Sequence, residues 1–299
     1  MTTETIRVGA RLADGWRPHV DPAWLTGWQP ERFALAHGET EVVAIGTGAP
    51  LLLLPPLPGW KEAWVGVAAR LARSFRVITF DQRERFAGED PWEEQLADLE
   101  RIADAYAPGA AAVLGHSLGG ALAQRWALRH PDRVAALVLS SSFARLESMP
   151  GQWRKRYVEQ LAVLCGQRWL PERIAATLAR SWAQRGAWVY DQKCDERTLA
   201  FVRHAIRRVP VGLAAARVRQ AMTHDTRDAL GALRCPTLIV TGELETPGAQ
   251  AASDELARLI PGAVRMISPG VAHLHPISGA VWFADRVASW LSPCLRLGV

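Results

Sequence analysis

Short apolar runs alternate with stretches of helical spacing along most of this chain. Leu51–Leu54, four consecutive leucines, and Ala111–Leu114 read as short buried strands. Arg32–Ala36 and Glu41–Ile45 read as two strands joined by a turn at His37-Gly38, and Arg76–Phe80, Arg133–Ser140, Pro236–Val240 and Ala263–Ile267 as further strands. The segments between them repeat apolar residues at helical spacing. Trp64, Ala68 and Leu71 share one face of a helix over Trp60–Arg73, and Leu96, Leu99, Ile102 and Tyr106 one face of a helix ending at Tyr106. Asp90-Pro91 starts the second of these, with an aspartate N-cap and then proline, whose missing N–H has no partner in the first turn anyway. Helices are also expected over Ala121–His130 and Ala251–Leu259. A last one, capped by Ser278, is expected to run to about Leu291 with Val287 and Trp290 packing inward.

The alternation stops between Phe143 and Leu230. That segment carries helical patterns and no convincing strand, and Pro150, Pro171 and Pro210 divide it into about four helices. Before the first strand, Met1–Pro30 carries Trp16, Trp24 and Trp28, which are costly to leave in water and are expected to pack on the body. No internal repeat, low-complexity tract or long linker interrupts the pattern.

At 299 residues the chain is long enough for a large core, and 49% hydrophobic with 22% charged residues is ordinary for a globular protein. No apolar run reaches membrane-spanning length, and Met1–Asp14 lacks a signal-peptide core, so a cytoplasmic protein without membrane contact is expected. Cys165, Cys194, Cys235 and Cys294 are widely spaced and read as reduced thiols. The net charge of +5 is unevenly spread: Pro150–Leu230 holds 15 Lys and Arg against 7 Asp and Glu. The basic residues are dispersed and no nucleic-acid motif accompanies them, so they read as a solvated helical surface, with no nucleic-acid partner expected.

The chemistry gathers around Gly115-His116-Ser117-Leu118-Gly119, between the strand at Ala111–Leu114 and the helix that follows. A chain turning directly from strand to helix strains the residue at the apex, and glycines on either side remove side chains that would collide. The Ser117 hydroxyl then projects free of both elements. The Leu118 N–H lies at the helix N-terminus, where unpaired amides and the dipole favour negative charge.

With this Gly-x-Ser-x-Gly elbow, and with β/α alternation on both sides, the chain resembles the α/β-hydrolase superfamily over nearly its whole length. The resemblance implies an α/β fold with a mostly parallel central sheet flanked by helices. It also implies an inserted all-helical cap at 143–230 between two parts of one core, 1–142 and 231–299. Trp153, Trp169, Trp182 and Trp188 of that cap are candidates for the substrate pocket.

The family order of nucleophile, acid and base implies Ser117, Glu245 and His273, each after a strand. A serine hydroxyl needs a base to take its proton, histidine titrates near neutral pH, and a carboxylate holds the imidazole in the useful tautomer. Gly270-Val271-Ala272-His273 matches the family's spacing before the base, with His275 a nearby competitor. Glu245 stands three residues after Gly242, where the family usually has aspartate, and Glu243 is its rival. His116 reads as structural, packed beneath the elbow.

Leu51–Leu54 leads into Pro55-Pro56-Leu57-Pro58-Gly59, with two prolines where the family usually has His-Gly. Leu57 falls at the position of the second oxyanion donor and keeps the N–H that its neighbours lack. Asp81-Gln82-Arg83 resembles the family's Asp-x-Arg, but Glu84-Arg85-Phe86 replaces the glycines that normally follow.

The resemblance thus implies a serine hydrolase cleaving small to medium, mainly apolar carboxylic esters through an acyl-enzyme, with no cofactor and no metal. C–C bond hydrolase, lactonase and thioesterase activity on the same triad remain open, as does a non-catalytic receptor or scaffold. So does the oligomeric state. Serine at position 117 argues against relatives that use an aspartate nucleophile.

Overall fold

Eight strands lie side by side in one sheet. They are β1 (Glu31–Leu35), β2 (Gly38–Ile45), β3 (Pro50–Leu54), β4 (Arg76–Phe80), β5 (Ala111–His116), β6 (Val134–Ser140), β7 (Thr237–Gly242) and β8 (Val264–Ser268). The computed structural model of the protein describes residues 16–88, 90–146, 200–201, 204–205 and 209–296. The sheet order is β1-β2-β4-β3-β5-β6-β7-β8. Pairing is antiparallel from β1 to β2 and from β2 to β4, and parallel from β4 to β8. The helices are α1 (Val65–Leu71), α2 (Pro91–Tyr106), α3 (Leu118–Arg129), α4 (Val211–Thr223), α5 (Pro247–Leu259), a single turn α6 (His275–Ser278) and α7 (Ala280–Arg296).

The strands explain the unbroken apolar runs. In β3, Leu51 and Leu53 face one hydrophobic layer, with Trp64, Val67, Phe283 and Val287 of the α1 and α7 side. Leu52 and Leu54 face the other, with Leu99, Leu122 and Leu256 of α2, α3 and α5. All four are fully buried, because both faces of a parallel sheet are covered. Each such leucine contributes about 1.5–3 kcal/mol relative to an exposed one.

The strand order also fixes where a site can form. From β3 the chain moves to β4 on one side and then returns past β3 to β5 on the other. At this reversal the loops after β3 and β5 part to opposite sides and leave a crevice at the carboxyl ends of the strands.

Several expectations shift in detail. The β1–β2 turn is Ala36-His37, because Gly38 already pairs with Leu35. The helix after the elbow begins at Leu118 rather than Ala121. Trp60–Arg73 divides into a 3-10 turn at Lys61–Trp64 and then α1. Ser278 does not cap α7: it ends the single turn α6, where its hydroxyl donates to the Leu274 carbonyl at 3.2 Å, and α7 starts after Gly279. Val287 is fully buried and Trp290 half-buried as read.

The early tryptophans pack on the body. Trp16 and Trp28 are buried edge-on with ring centroids 6.4 Å apart, and Trp16 meets Phe201 at 6.2 Å. Of residues 143–230, only the exit as far as Leu146, a few positions near Phe201 and the return through α4 are described. Trp153, Trp169, Trp182 and Trp188 lie outside the described residues. Arg145 and Asp225 form an antiparallel bridge where the chain leaves and rejoins the core. Among the described residues, no helix is long and apolar enough to cross a membrane.

Candidate active site

Ser117 sits between β5 and α3 with φ 54° and ψ −118°, in the left-handed half of backbone space. Holding a serine there costs about 1–3 kcal/mol, so the surroundings must over-determine it. They do so through three anchors. The Ser117 N–H donates to the Ser140 carbonyl at 2.8 Å, and the Ser117 carbonyl accepts from the Gly120 N–H at 3.0 Å. That carbonyl also accepts from the Ser142 hydroxyl at 3.0 Å.

The flanking glycines are required by close approach. A Cβ at Gly115 would lie 2.3 Å from the Gly119 carbonyl oxygen, and one at Gly119 would lie 2.2 Å from that of Leu54. The second contact shows how tightly the start of α3 is seated on the end of β3.

The histidine and the acid reach Ser117 from the ends of β8 and β7. His273 Nε2 lies 3.1 Å from Ser117 Oγ, and His273 Nδ1 lies 3.0 Å from Glu245 Oε1. The Glu245 side chain is fully buried. Glu243 turns elsewhere: its Oε2 accepts the Gly270 N–H at 2.6 Å, which ties the β7 loop to the loop that carries His273. The Leu244 N–H donates to the Val271 carbonyl at 2.9 Å and reinforces that tie. Of the two carboxylates, Glu245 therefore faces the imidazole, and its extra methylene is accommodated within ordinary hydrogen-bond distance.

Two further histidines lie beneath. The His116 ring is 5.0 Å from that of His273, and His116 Nδ1 contacts the Ser140 carbonyl at 3.0 Å and hydroxyl at 2.9 Å. His275 Nε2 lies 3.0 Å from the Ser141 hydroxyl and 3.2 Å from that of Ser140. His275 thus turns away from Ser117. Burial pushes the His275 pKa down to about 3, with the neighbouring His273 adding to it. The same burial holds His116 well below the usual imidazole range. Both are neutral at ordinary pH.

Sequence reasoning did not assign Ser140-Ser141-Ser142 a role. Their signal was three adjacent hydroxyls at the end of a buried strand. Ser141 also has a positive φ, 41°.

Leu57 lies in the loop that continues from β3 beside the elbow, half-buried against the α3 side of the core. Its N–H donates to no backbone carbonyl among the described residues. Leu118 is the first residue of α3, so its N–H has no intrahelical acceptor. Neither amide is therefore engaged by a backbone carbonyl among the described residues. Among the described residues, no group of three or more His, Cys, Asp or Glu side chains is arranged to hold a metal ion.

Comparison with known proteins adds the following. A family profile described as alpha/beta hydrolase fold matches residues 49–280. The chain is 30% identical over 259 residues to a pimeloyl-[acyl-carrier protein] methyl ester esterase of Chromobacterium violaceum, covering 84% of this chain and 97% of that one. Among solved structures, a thermophilic esterase from Thermogutta terrifontis superposes with a TM-score of 0.69 at 26% identity, over 89% of this chain and 99% of that one. The enol-lactonase from Burkholderia xenovorans LB400 superposes with a TM-score of 0.67 at 23% identity, over 88% and 100%, and shares the fold.

Proposed function

The chain belongs to the alpha/beta hydrolase fold family and is a hydrolase, and from that premise we propose that Ser117 is its nucleophile and that it cleaves carboxylic esters of small to medium, mainly apolar substrates. The observation that carries the reading is the hydrogen-bonded chain from Ser117 Oγ through His273 to the buried Glu245.

The reaction runs in two halves. His273 Nε2 takes the Ser117 proton as the oxygen attacks the ester carbonyl carbon. The carbonyl π electrons move onto oxygen, and the N–H groups of Leu57 and Leu118 receive that oxyanion, often the largest single contribution to such catalysis. The oxyanion collapses, the C–O bond to the alcohol breaks, and His273 returns its proton to the leaving oxygen. Water then repeats the sequence on the acyl-enzyme, releasing the acid and restoring Ser117. Glu245 accepts the His273 Nδ1 proton in a hydrogen bond and stabilises the imidazolium. To residues 143–230, most of which lie outside the described residues, we assign the choice of which acyl group fits. Both the methyl ester esterase and the thermophilic esterase act on esters by name, which supports the substrate class.

A panel of p-nitrophenyl esters of rising acyl length, with a lactone and a thioester beside them, tests the reading. Turnover of the short and medium esters, stopped by one equivalent of a fluorophosphonate, is expected. Inert esters beside a hydrolysed lactone or thioester would move the substrate class. No turnover and no phosphonate uptake would make the protein a non-catalytic scaffold.

A further inference from the structure

The loop Pro55–Gly59 has an anchoring problem that its sequence creates. Pro55, Pro56 and Pro58 carry no N–H, and the Gly59 N–H is used within the turn, donating to the Pro56 carbonyl at 2.6 Å. The remaining N–H, that of Leu57, donates to no backbone carbonyl among the described residues, so the loop's backbone hydrogen bonds to the body run through its carbonyls. One residue takes both ends. The Gln82 N–H donates to the Gly59 carbonyl at 2.7 Å, and Gln82 Nε2 donates to the Pro55 carbonyl at 3.2 Å.

Gln82 is itself held by a buried series of side chains. Gln95 Nε2 donates to Gln82 Oε1 at 3.1 Å, and Gln220 Nε2 donates to Gln95 Oε1. Arg217 Nη1 donates to Gln220 Oε1 at 3.0 Å, while its Nη2 donates to the Arg83 carbonyl at 2.7 Å. All four side chains are at least nine-tenths buried. The sense of the series is fixed at both ends. A guanidinium can only donate and the Pro55 carbonyl can only accept, so the three amides must all point the same way. Aligned bonds of this kind polarise one another in a low-dielectric interior.

The series links three separate parts of the chain. Gln82 follows β4, Gln95 lies on α2, and Gln220 and Arg217 lie on α4, the helix by which residues 143–230 return to the core. The guanidinium also closes on the loop itself, since a Cβ at Gly59 would come within 3.2 Å of Arg217 Nη2. An apolar series of the same shape would be as stable or more so. Its polarity is accounted for by what it holds.

We propose that Gln82, Gln95 and Gln220, headed by Arg217, are positioning residues that fix the oxyanion loop from α4, and so set the Leu57 N–H relative to the nucleophile. This rests on the assignment of Leu57 as an oxyanion donor. It also accounts for how a proline-rich loop does the work of the family's usual His-Gly: its shape is imposed from outside through its carbonyls. A shift of α4 is transmitted to the donor, which links the segment 143–230 to the chemical step.

Gln95→Leu and Gln220→Leu interrupt the series at positions that touch neither the loop nor Ser117. Both should be assayed with a p-nitrophenyl ester, with active sites counted by fluorophosphonate titration. A single oxyanion donor is worth about 10²–10³ in kcat, so a misplaced one is expected to cost about 10-fold per titrated site. KM should stay within about twofold, and affinity for a tetrahedral boronate should fall in parallel with kcat. The double variant should be little worse than either single one. Unchanged kcat and boronate affinity per titrated site in both variants would overturn the proposal. So would a loss confined to the titrated fraction or tracking Tm, which would mean a structural role only. Parent enzyme that takes up no phosphonate would overturn the functional reading itself, a result separable from failure of the relay alone.

Discussion

Glu245→Gln is expected to lower kcat by about 10⁴-fold while the protein keeps its fold and Tm. The reason is the tautomer of His273. With a carboxylate 3.0 Å from Nδ1, the imidazole keeps its proton there and offers the Nε2 lone pair to the Ser117 hydroxyl. An amide in place of the carboxylate can donate to Nδ1. The ring then carries its proton on Nε2 and cannot accept from Ser117. The charge that would stabilise the imidazolium is lost as well. Glu243→Gln is expected to stay within a few-fold of the parent, because an amide oxygen can still accept the Gly270 N–H. Steady-state kinetics on both variants, with circular dichroism as the folding control, make the comparison. A large loss in Glu243→Gln with little in Glu245→Gln would transfer the acid to Glu243. Two near-silent variants would place it elsewhere.

The second large effect is on stability. Thermal unfolding is expected to move to markedly lower temperature between pH 7 and pH 5. Three histidines are buried and held neutral. Burial lowers His275 and His224 to about 3, with His273 and Arg125 adding to the effect, and puts His116 well below the imidazole range. The Arg125 Nε–H donates to His224 Nδ1 at 3.2 Å, which requires that nitrogen to be unprotonated.

A histidine whose folded pKa lies below its unfolded value contributes stability that is fully present above about pH 6.5 and is lost as pH falls toward the folded pKa. By pH 5 His275 and His224 each cost about 2 kcal/mol, against a total of about 5–15 for a typical domain, and His116 acts in the same direction. Glu62 works the other way. Burial and the Asp81 charge raise its carboxyl to about 7, so it returns part of that loss as it takes up a proton. The histidines outnumber it, and the net slope is toward instability in acid. His275→Gln should flatten the curve, because glutamine keeps a polar contact to Ser141 without a proton to gain. A Tm unchanged from pH 7 to pH 5 would contradict this account.

What could be read in advance follows from how local each signal is. Helix α2 was legible at both ends because its N-cap, its first-turn proline and its apolar stripe are contiguous in sequence, and Asp90 does cap it, accepting the Trp92 N–H at 2.8 Å. The elbow was legible because strand, glycines and helix adjoin. The choice between Glu245 and Glu243 depended on position in a short loop, and what distinguishes them is the Gly270 amide on another loop. The single turn α6 hid in the sequence because one helical turn has no period, so Ser278 read as a cap for the longer helix beyond it. The glutamine relay could not be read at all. Its partners stand 13 and 125 residues apart, and nothing in the spacing of Gln82, Gln95 and Gln220 announces that they meet. The hydroxyls of Ser140 and Ser141 did leave a local signal, three adjacent serines ending a buried strand, but their role under the histidines depends on how β6 lies beside β5.

The central claim is that Ser117 carries the acyl group, and intact-mass analysis after treatment with a fluorophosphonate tests it most directly. The expected result is a single adduct per chain that maps to Ser117 on peptide analysis and is absent from Ser117→Ala. An adduct on another serine that persists in folded Ser117→Ala, or ester turnover that continues in that variant at the parent's rate, would contradict it.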